Sequence, residues 1–247
     1  MEGTSKSKVD QVRSLFEVPE KYLAGRQYDI RIRLETVKEL TKNRAFDRIL
    51  DLGCGDGSIS LPLLPRSKKL TLLDVSTKML DLARKRIPFE RADDVEVINN
   101  NFMAANLESE SFDLVLAIGV LAHVDSPTAL MSEIARVVKP GGSVVVQFTD
   151  SFHWWGIPIV AYQQLLKLIR PQPYALNRLR RRQVMQLCQV AHLNMSAVYR
   201  YGLPPLGTHL FAGQDEMYRM TRYVFGPWNK NRNRWMGNEF IWRLEKD

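Results

Sequence analysis

Ile49-Leu50-Asp51-Leu52-Gly53-Cys54-Gly55-Asp56-Gly57-Ser58, followed by the apolar run Leu70-Thr71-Leu72-Leu73 that ends on Asp74, decides the fold of this chain. The stretch reads as a strand, a glycine turn, a helix and a second strand capped by a carboxylate. Glycines let a backbone approach a ligand closely, and an acid at the end of the next strand can accept both hydroxyls of a ribose. Together they describe a nucleoside site.

Spacing narrows the nucleoside. A dinucleotide fingerprint is G-x-G-x-x-G, with the helix N-terminus facing a pyrophosphate. Here the glycines fall as G-x-G-x-G, Ser58 holds the third dinucleotide position, and Asp51 sits just before the turn. A carboxylate there repels a pyrophosphate and suits a cationic amino acid. Four more segments follow in order: Asn99-Asn100-Asn101-Phe102, Ser111-Phe112-Asp113-Leu114-Val115-Leu116-Ala117, Gly119-Val120-Leu121-Ala122-His123-Val124 and Glu133-Ile134-Ala135-Arg136-Val137-Val138-Lys139-Pro140-Gly141-Gly142. On these motifs the chain resembles the class I S-adenosylmethionine-dependent methyltransferases.

The resemblance implies a Rossmann-like methyltransferase fold with S-adenosyl-L-methionine as cofactor. It assigns Asp51 to the amino-acid moiety, directly or through a water, the Gly53, Gly55 and Gly57 backbones to the turn, and Asp74 to the ribose hydroxyls. Val75 and Met79 would pack on the adenine, Asn101 and Phe102 would meet its edge, and the Ile118 backbone would approach the methionine portion. Asn101 departs from the family's usual Asp, so an amide oxygen would have to read the adenine amino group.

The remaining pattern agrees with an α/β, doubly wound, mostly parallel seven-stranded sheet carrying helical and aromatic cap insertions. Strands are expected at 48–52, 70–73, 95–98, 112–117, 143–148, 195–201 and 239–244. Helices are expected at 10–22, 26–42, 58–64, after the Ser76 cap, at 126–138 and at 179–192. Residues 1–45 read as N-terminal helices over the cofactor site and 46–150 as the cofactor-binding core. Residues 151–247 complete the sheet, with insertions at about 150–177 and 202–237 read as a substrate cap, all within one domain.

A chain of 247 residues, 45% hydrophobic, can bury one sizeable core. Its two cysteines, Cys54 and Cys188, give no disulfide framework and fit a reducing compartment. The polar start lacks the apolar run of a signal peptide, which predicts a cytoplasmic protein. Charge is uneven: residues 151–247 carry 14 Lys+Arg against 5 Asp+Glu, and all five tryptophans. That contrast assigns substrate or surface contact to the second part. Trp154-Trp155, a helical stripe of Ile159, Tyr162, Leu166 and Ile169, and the basic Arg178, Arg180, Arg181 and Arg182 read as a hydrophobic lid or as a peripheral membrane contact through 152–182.

Transfer from a sulfonium is an in-line displacement governed by positioning, and an oxygen or protonated nitrogen acceptor must also lose a proton. His123, just after the fourth strand, is the first candidate base; His153 and His209 follow. Tyr22 and Tyr28 could close over the cofactor. No His/Cys cluster has zinc spacing, so no metal is expected. The segment Ala117-Ile118-Gly119-Val120 lacks the Asn/Asp-Pro-Pro-aromatic signature of base methylation. The expected partner is therefore a hydrophobic or ring-bearing small molecule, natural-product, lipid-like or glycosylated, methylated at oxygen or nitrogen in small-molecule biosynthesis. RNA methylation and cofactor binding without transfer are the alternatives.

Overall fold

The computed structural model describes residues 8–16, 18–154, 157, 176–202 and 212–247. Seven strands, β1 (Phe46–Leu52), β2 (Ser67–Asp74), β3 (Val95–Asn99), β4 (Phe112–Ile118), β5 (Val138–Thr149), β6 (Leu193–Tyr201) and β7 (Glu239–Lys246), form one sheet in the order β3-β2-β1-β4-β5-β7-β6. β1 to β5 pair in parallel, and β7 runs antiparallel between β5 and β6.

The inner strands are apolar on both faces, as strands covered on both sides must be. Alternation sends Leu50, Leu52, Val144 and Val146 to one face, where α5 (Pro127–Val137) and α6 (Arg181–Val190) bring Ile134 and Val184. Ile49, Leu70, Leu114 and Val145 meet the other face, covered by α3 (Gln27–Leu40), α4 (Thr77–Arg86) and α7 (Gln214–Phe225) through Ile32, Leu80 and Phe225. Two apolar layers around one sheet explain the fold, and the order reverses between β1 and β4, where such sheets open a crevice at the strands' carboxyl ends.

The structure corrects several sequence expectations. The helix expected over 10–22 is two pieces, α1 (Lys8–Leu15) and α2 (Pro19–Ala24), because Pro19 can only begin a helix. The helix expected over 58–64 is absent; a turn leads into a 3₁₀ segment, Leu61–Arg66, where Pro62 and Pro65 withhold the amides an α-helix needs. β5 starts earlier than expected, at Val138. The described part of 202–237 contains α7, which lies along α3: Arg222 and the Tyr218 hydroxyl engage Glu35, and the Gln214 side chain accepts from the Tyr28 amide. The stripe at 159–169 and His209 lie outside the described residues. No helix among the described residues is long and apolar enough to cross a membrane.

Candidate active site

At the β1/β4 crevice lies a cavity of about 1000 Å³. Its floor is the turn after β1. Gly53, Gly55 and Gly57 all have positive φ, and the amides of Gly53 and Cys54 both donate to the Leu73 carbonyl at 2.8 and 3.1 Å, tying the turn to β2. A Cβ on Gly53 would stand 2.9 Å from the Val120 side chain, and one on Gly57 2.6 Å from Leu61, so these positions exclude a side chain by space as well as by φ. Gly53 and Gly55 line the cavity; Gly57 lies behind it as a packing residue.

Asp74 ends β2 with its carboxylate held by two backbone amides, Gly55 N–H on Oδ2 at 2.9 Å and Ser76 N–H on Oδ1 at 2.8 Å. Burial raises its pKa, partly countered by those amides. Its remaining lone pairs are presented to the cavity, the arrangement a vicinal diol requires. Asp51 is 2% exposed and its Oδ2 has no hydrogen-bond partner. Burial pushes its carboxyl up to about 7; the nearby Ser60 hydroxyl pulls down, and the charges of Asp74 and Asp56 add to the rise. A buried acceptor without a donor is costly, and an ammonium group placed against it would remove that cost.

Val75, Met79, Asn101, Phe102 and Ile118 also line the cavity. Met79 packs under the turn, its sulfur 4.0 Å from where a Cβ on Gly55 would stand. Asn101 caps a short 3₁₀ turn, its Oδ1 accepting from Met103 N–H at 3.2 Å, which uses one of the two lone pairs left for an adenine amino group. The cavity thus offers a buried carboxyl oxygen without a donor, a carboxylate at the end of β2, and apolar side chains beside an amide oxygen, groups that fit S-adenosylmethionine.

The roof comes from α1 and α2, through Val9, Val12, Leu15, Phe16, Tyr22 and Leu23. Lys8 Nζ donates to the Val124 carbonyl at 2.7 Å and to Asn177 Oδ1 at 2.9 Å, and Arg13 donates to the Val75 carbonyl at 3.2 Å. Asn177 in turn donates to the carbonyls of Ala122, Leu121 and Val124, so roof and post-β4 loop are pinned together. Tyr28, unlike Tyr22, stands outside the lining.

His123 faces the cavity, its ring edge-on to Phe16 at 6.4 Å. Burial, then the charges of Arg26, Lys8 and Arg33, push its imidazole down to about 4. His153 stands outside the lining, its Nε2 2.9 Å from the Trp235 carbonyl; burial lowers its pKa too. Cys188 is pushed up to about 12 and Cys54 well above its usual range, both by burial, so neither offers a thiolate. Sequence reasoning missed Arg26, Arg33 and Gln147, which form a polar wall of the cavity.

Residues 50–146 match the family described as a methyltransferase domain. The chain is similar to the ubiquinone biosynthesis O-methyltransferase of Pasteurella multocida, 22% identical over 195 residues covering 74% of this chain and 81% of that one. It is also similar to the demethylmenaquinone methyltransferase of Lactococcus lactis, 37% identical over 100 residues covering 39% and 40%. Among solved structures, a SAM-dependent methyltransferase from Thermotoga maritima superposes with a TM-score of 0.71 at 19% identity, over 98% of this chain and 100% of that one. Magnesium protoporphyrin IX methyltransferase from Synechocystis, with bound SAH, gives 0.64 at 14% over 98% and 100%; at such identities the likeness is one of fold.

Proposed function

Starting from a class I S-adenosylmethionine-dependent methyltransferase, which this chain is, we propose that its acceptor is a hydrophobic or ring-bearing small molecule methylated at oxygen or nitrogen. One observation carries the reading. The cavity, about 1000 Å³, stands at the upper end of the usual range for small-molecule sites, and beyond the cofactor row it is walled by Val9, Val12, Leu15, Phe16, Leu23 and Leu130. A polar nucleoside fills the row along the turn; the apolar remainder suits a second, ring-bearing ligand. The relatives named for ubiquinone and demethylmenaquinone chemistry support an acceptor of this kind.

When bound, S-adenosylmethionine supplies a sulfonium methyl, which passes to the acceptor's lone pair as the carbon–sulfur bond breaks with its electron pair left on sulfur. The chain's own work is positioning. Asp51 holds the ammonium end, Asp74 the ribose, and Met79 with Phe102 the adenine, while the pinned α1 roof excludes water and so strengthens every charge inside. His123 stays neutral at neutral pH and serves as a hydrogen-bonding wall residue. Taking a proton from a phenol-like acceptor would be uphill by about six pKa units for an imidazole near 4, or about 8 kcal/mol.

The test is S-adenosylhomocysteine formation with hydroxylated and aminated ring compounds. Turnover with a member of that set supports the reading; turnover with RNA alone, at an affinity that falls with salt, overturns it. The indoles of Trp154 and Trp235, stacked at 5.7 Å and half exposed, with Arg180 over Phe152 at 4.1 Å, support a peripheral membrane contact through 152–182. Co-sedimentation with anionic vesicles that is unchanged in Trp154→Ala would remove it.

A further inference from the structure

Gln147 ends near the carboxyl edge of β5, is 2% exposed and faces the cavity. Its Nε2 donates to the Glu239 carboxylate, whose other oxygen accepts from Thr149 Oγ1 at 2.7 Å. While Glu239 is ionised, that bond fixes the amide's orientation, since turning it over would set two acceptors against each other. Its Oε1 is left with no hydrogen-bond partner. Across from it stands Arg33 of α3. Nη2 of Arg33 is 2.8 Å from Asp29 Oδ2 and Nε 3.5 Å from the Tyr201 hydroxyl, while Nη1 points to the cavity side.

These two atoms converge. Arg33 Nη1 and Gln147 Oε1 are each 3.5 Å from the point that a Cβ on Gly119 would occupy. Gly119 has φ +80°, directly follows Ile118 at the end of β4 and itself lines the cavity, so a donor and an acceptor flank the cavity wall at the carboxyl end of β4. A buried carbonyl oxygen without a donor is costly, and a bound hydroxyl removes that cost.

We propose that Arg33 and Gln147 form the acceptor subsite for an acidic hydroxyl, of a phenol or an enol, with Gln147 Oε1 accepting from the neutral O–H and Arg33 donating to the oxygen, its charge outweighing the amide dipole once the proton has left. The inference rests on the methyltransferase reading above and narrows its acceptor atom from oxygen or nitrogen to oxygen. Glu239 is a positioning residue that acts through Gln147. Asp29 and Tyr201 engage Arg33 directly, and Arg26 and His123 line the same cavity. Arg33 and Arg26 share the Asp29 carboxylate, Glu239 also acts on Arg33, and at His123 the charges of Arg26, Lys8 and Arg33 add to burial in holding the imidazole unprotonated. The cationic charges at His123 disfavour an ammonium acceptor beside it, and at the subsite itself the Arg33 guanidinium is the charge that favours an oxyanion. The hydroxyl proton passes to bulk water as the acceptor enters, before solvent is excluded, and the oxygen's lone pair then forms the bond to the methyl carbon as the carbon–sulfur bond breaks with its electron pair left on sulfur.

The experiment uses the full chain saturated with S-adenosylhomocysteine and 4-nitrophenol, whose anion is read by its absorbance. Bound 4-nitrophenol should ionise with its pKa lowered by about one unit or more, and 4-nitrobenzylamine should not compete. Arg33→Met should abolish the shift. Gln147→Met leaves the Arg33–Asp29 pair intact and should weaken binding of the neutral phenol about fivefold to tenfold, with homocysteine-ligand affinity unchanged. No binding at millimolar 4-nitrophenol, or an unshifted or raised pKa, overturns the inference. Failure of the chain to bind S-adenosylhomocysteine would instead strike the methyltransferase reading.

Discussion

Asp51 and Asp74 are both buried carboxylates at the ends of neighbouring strands, yet their partners differ. Asp74 is already satisfied by two amides, whereas Asp51 keeps an oxygen without a donor. Asp51 in the free protein is therefore largely protonated at pH 6, and meeting the cofactor's ammonium must expel that proton. Calorimetry of S-adenosylhomocysteine binding at pH 6, in buffers of different ionisation enthalpy, should show release approaching one proton, falling towards none by pH 8 to 9 and lost in Asp51→Asn. Proton uptake instead would sink the assignment. Asp74→Ala should weaken binding about 30-fold or more, because two charge-assisted bonds to the ribose disappear and the turn loses its tie at Gly55. Unchanged affinity would remove the ribose role. Both acids were legible in the sequence because a strand end and a glycine turn fix their place. Arg33 and Gln147 were not: each reads as an ordinary helix or strand residue, and only the tertiary fold brings both side chains beside Gly119 at the end of β4.

Among the elements, α1 buries none of its residues, yet its apolar positions Val9, Val12 and Leu15 roof the cavity. Its attachment rests on Lys8 and Arg13 reaching backbone carbonyls on either side of the opening. Such polar docking is worth little to global stability and much to closure. Removing residues 1–16 should shift Tm by less than about 4 °C, since less than about 1 kcal/mol of packing is lost, while S-adenosylhomocysteine should dissociate about tenfold faster in stopped flow. A large Tm loss with unchanged release would make α1 a structural helix only. The helices that cover the sheet were legible from 3.6-residue periodicity and from caps such as Ser76 and Ser126, whose hydroxyls accept from Met79 and Ala129. The segment after the glycine turn misled because Leu61, Leu63 and Leu64 carry apolar spacing, while Pro62 and Pro65 forbid the hydrogen bonds that spacing suggests.

For the molecule as a whole, the site's carboxyls set a pH dependence opposite to that of an ordinary salt-bridged protein. Burial pushes Asp51 from its usual 3.8 to about 7 and Glu239 from 4.5 to about 7, Glu239 with help from Asp29 and against Arg33. Between pH 4 and 7 the folded chain then binds more protons at these two groups than the unfolded chain, so stability falls as pH rises. His123 opposes this: with its imidazole down at about 4, the unfolded chain binds the extra proton between pH 4 and 6.5, and stability rises there. Asp51 and Glu239 outweigh His123, and the raised Asp74 carboxyl acts in their direction, leaving a net decline of a few kcal/mol, on the order of 5 to 10 °C in Tm, between pH 5 and pH 8. Saturating S-adenosylhomocysteine should flatten the decline, because its ammonium makes ionised Asp51 the favoured form in the folded state. Differential scanning calorimetry with and without the ligand reads both effects; a Tm that climbs from pH 5 to 8 in the free protein would mean that Asp51 and Glu239 are ionised in the fold and already paired.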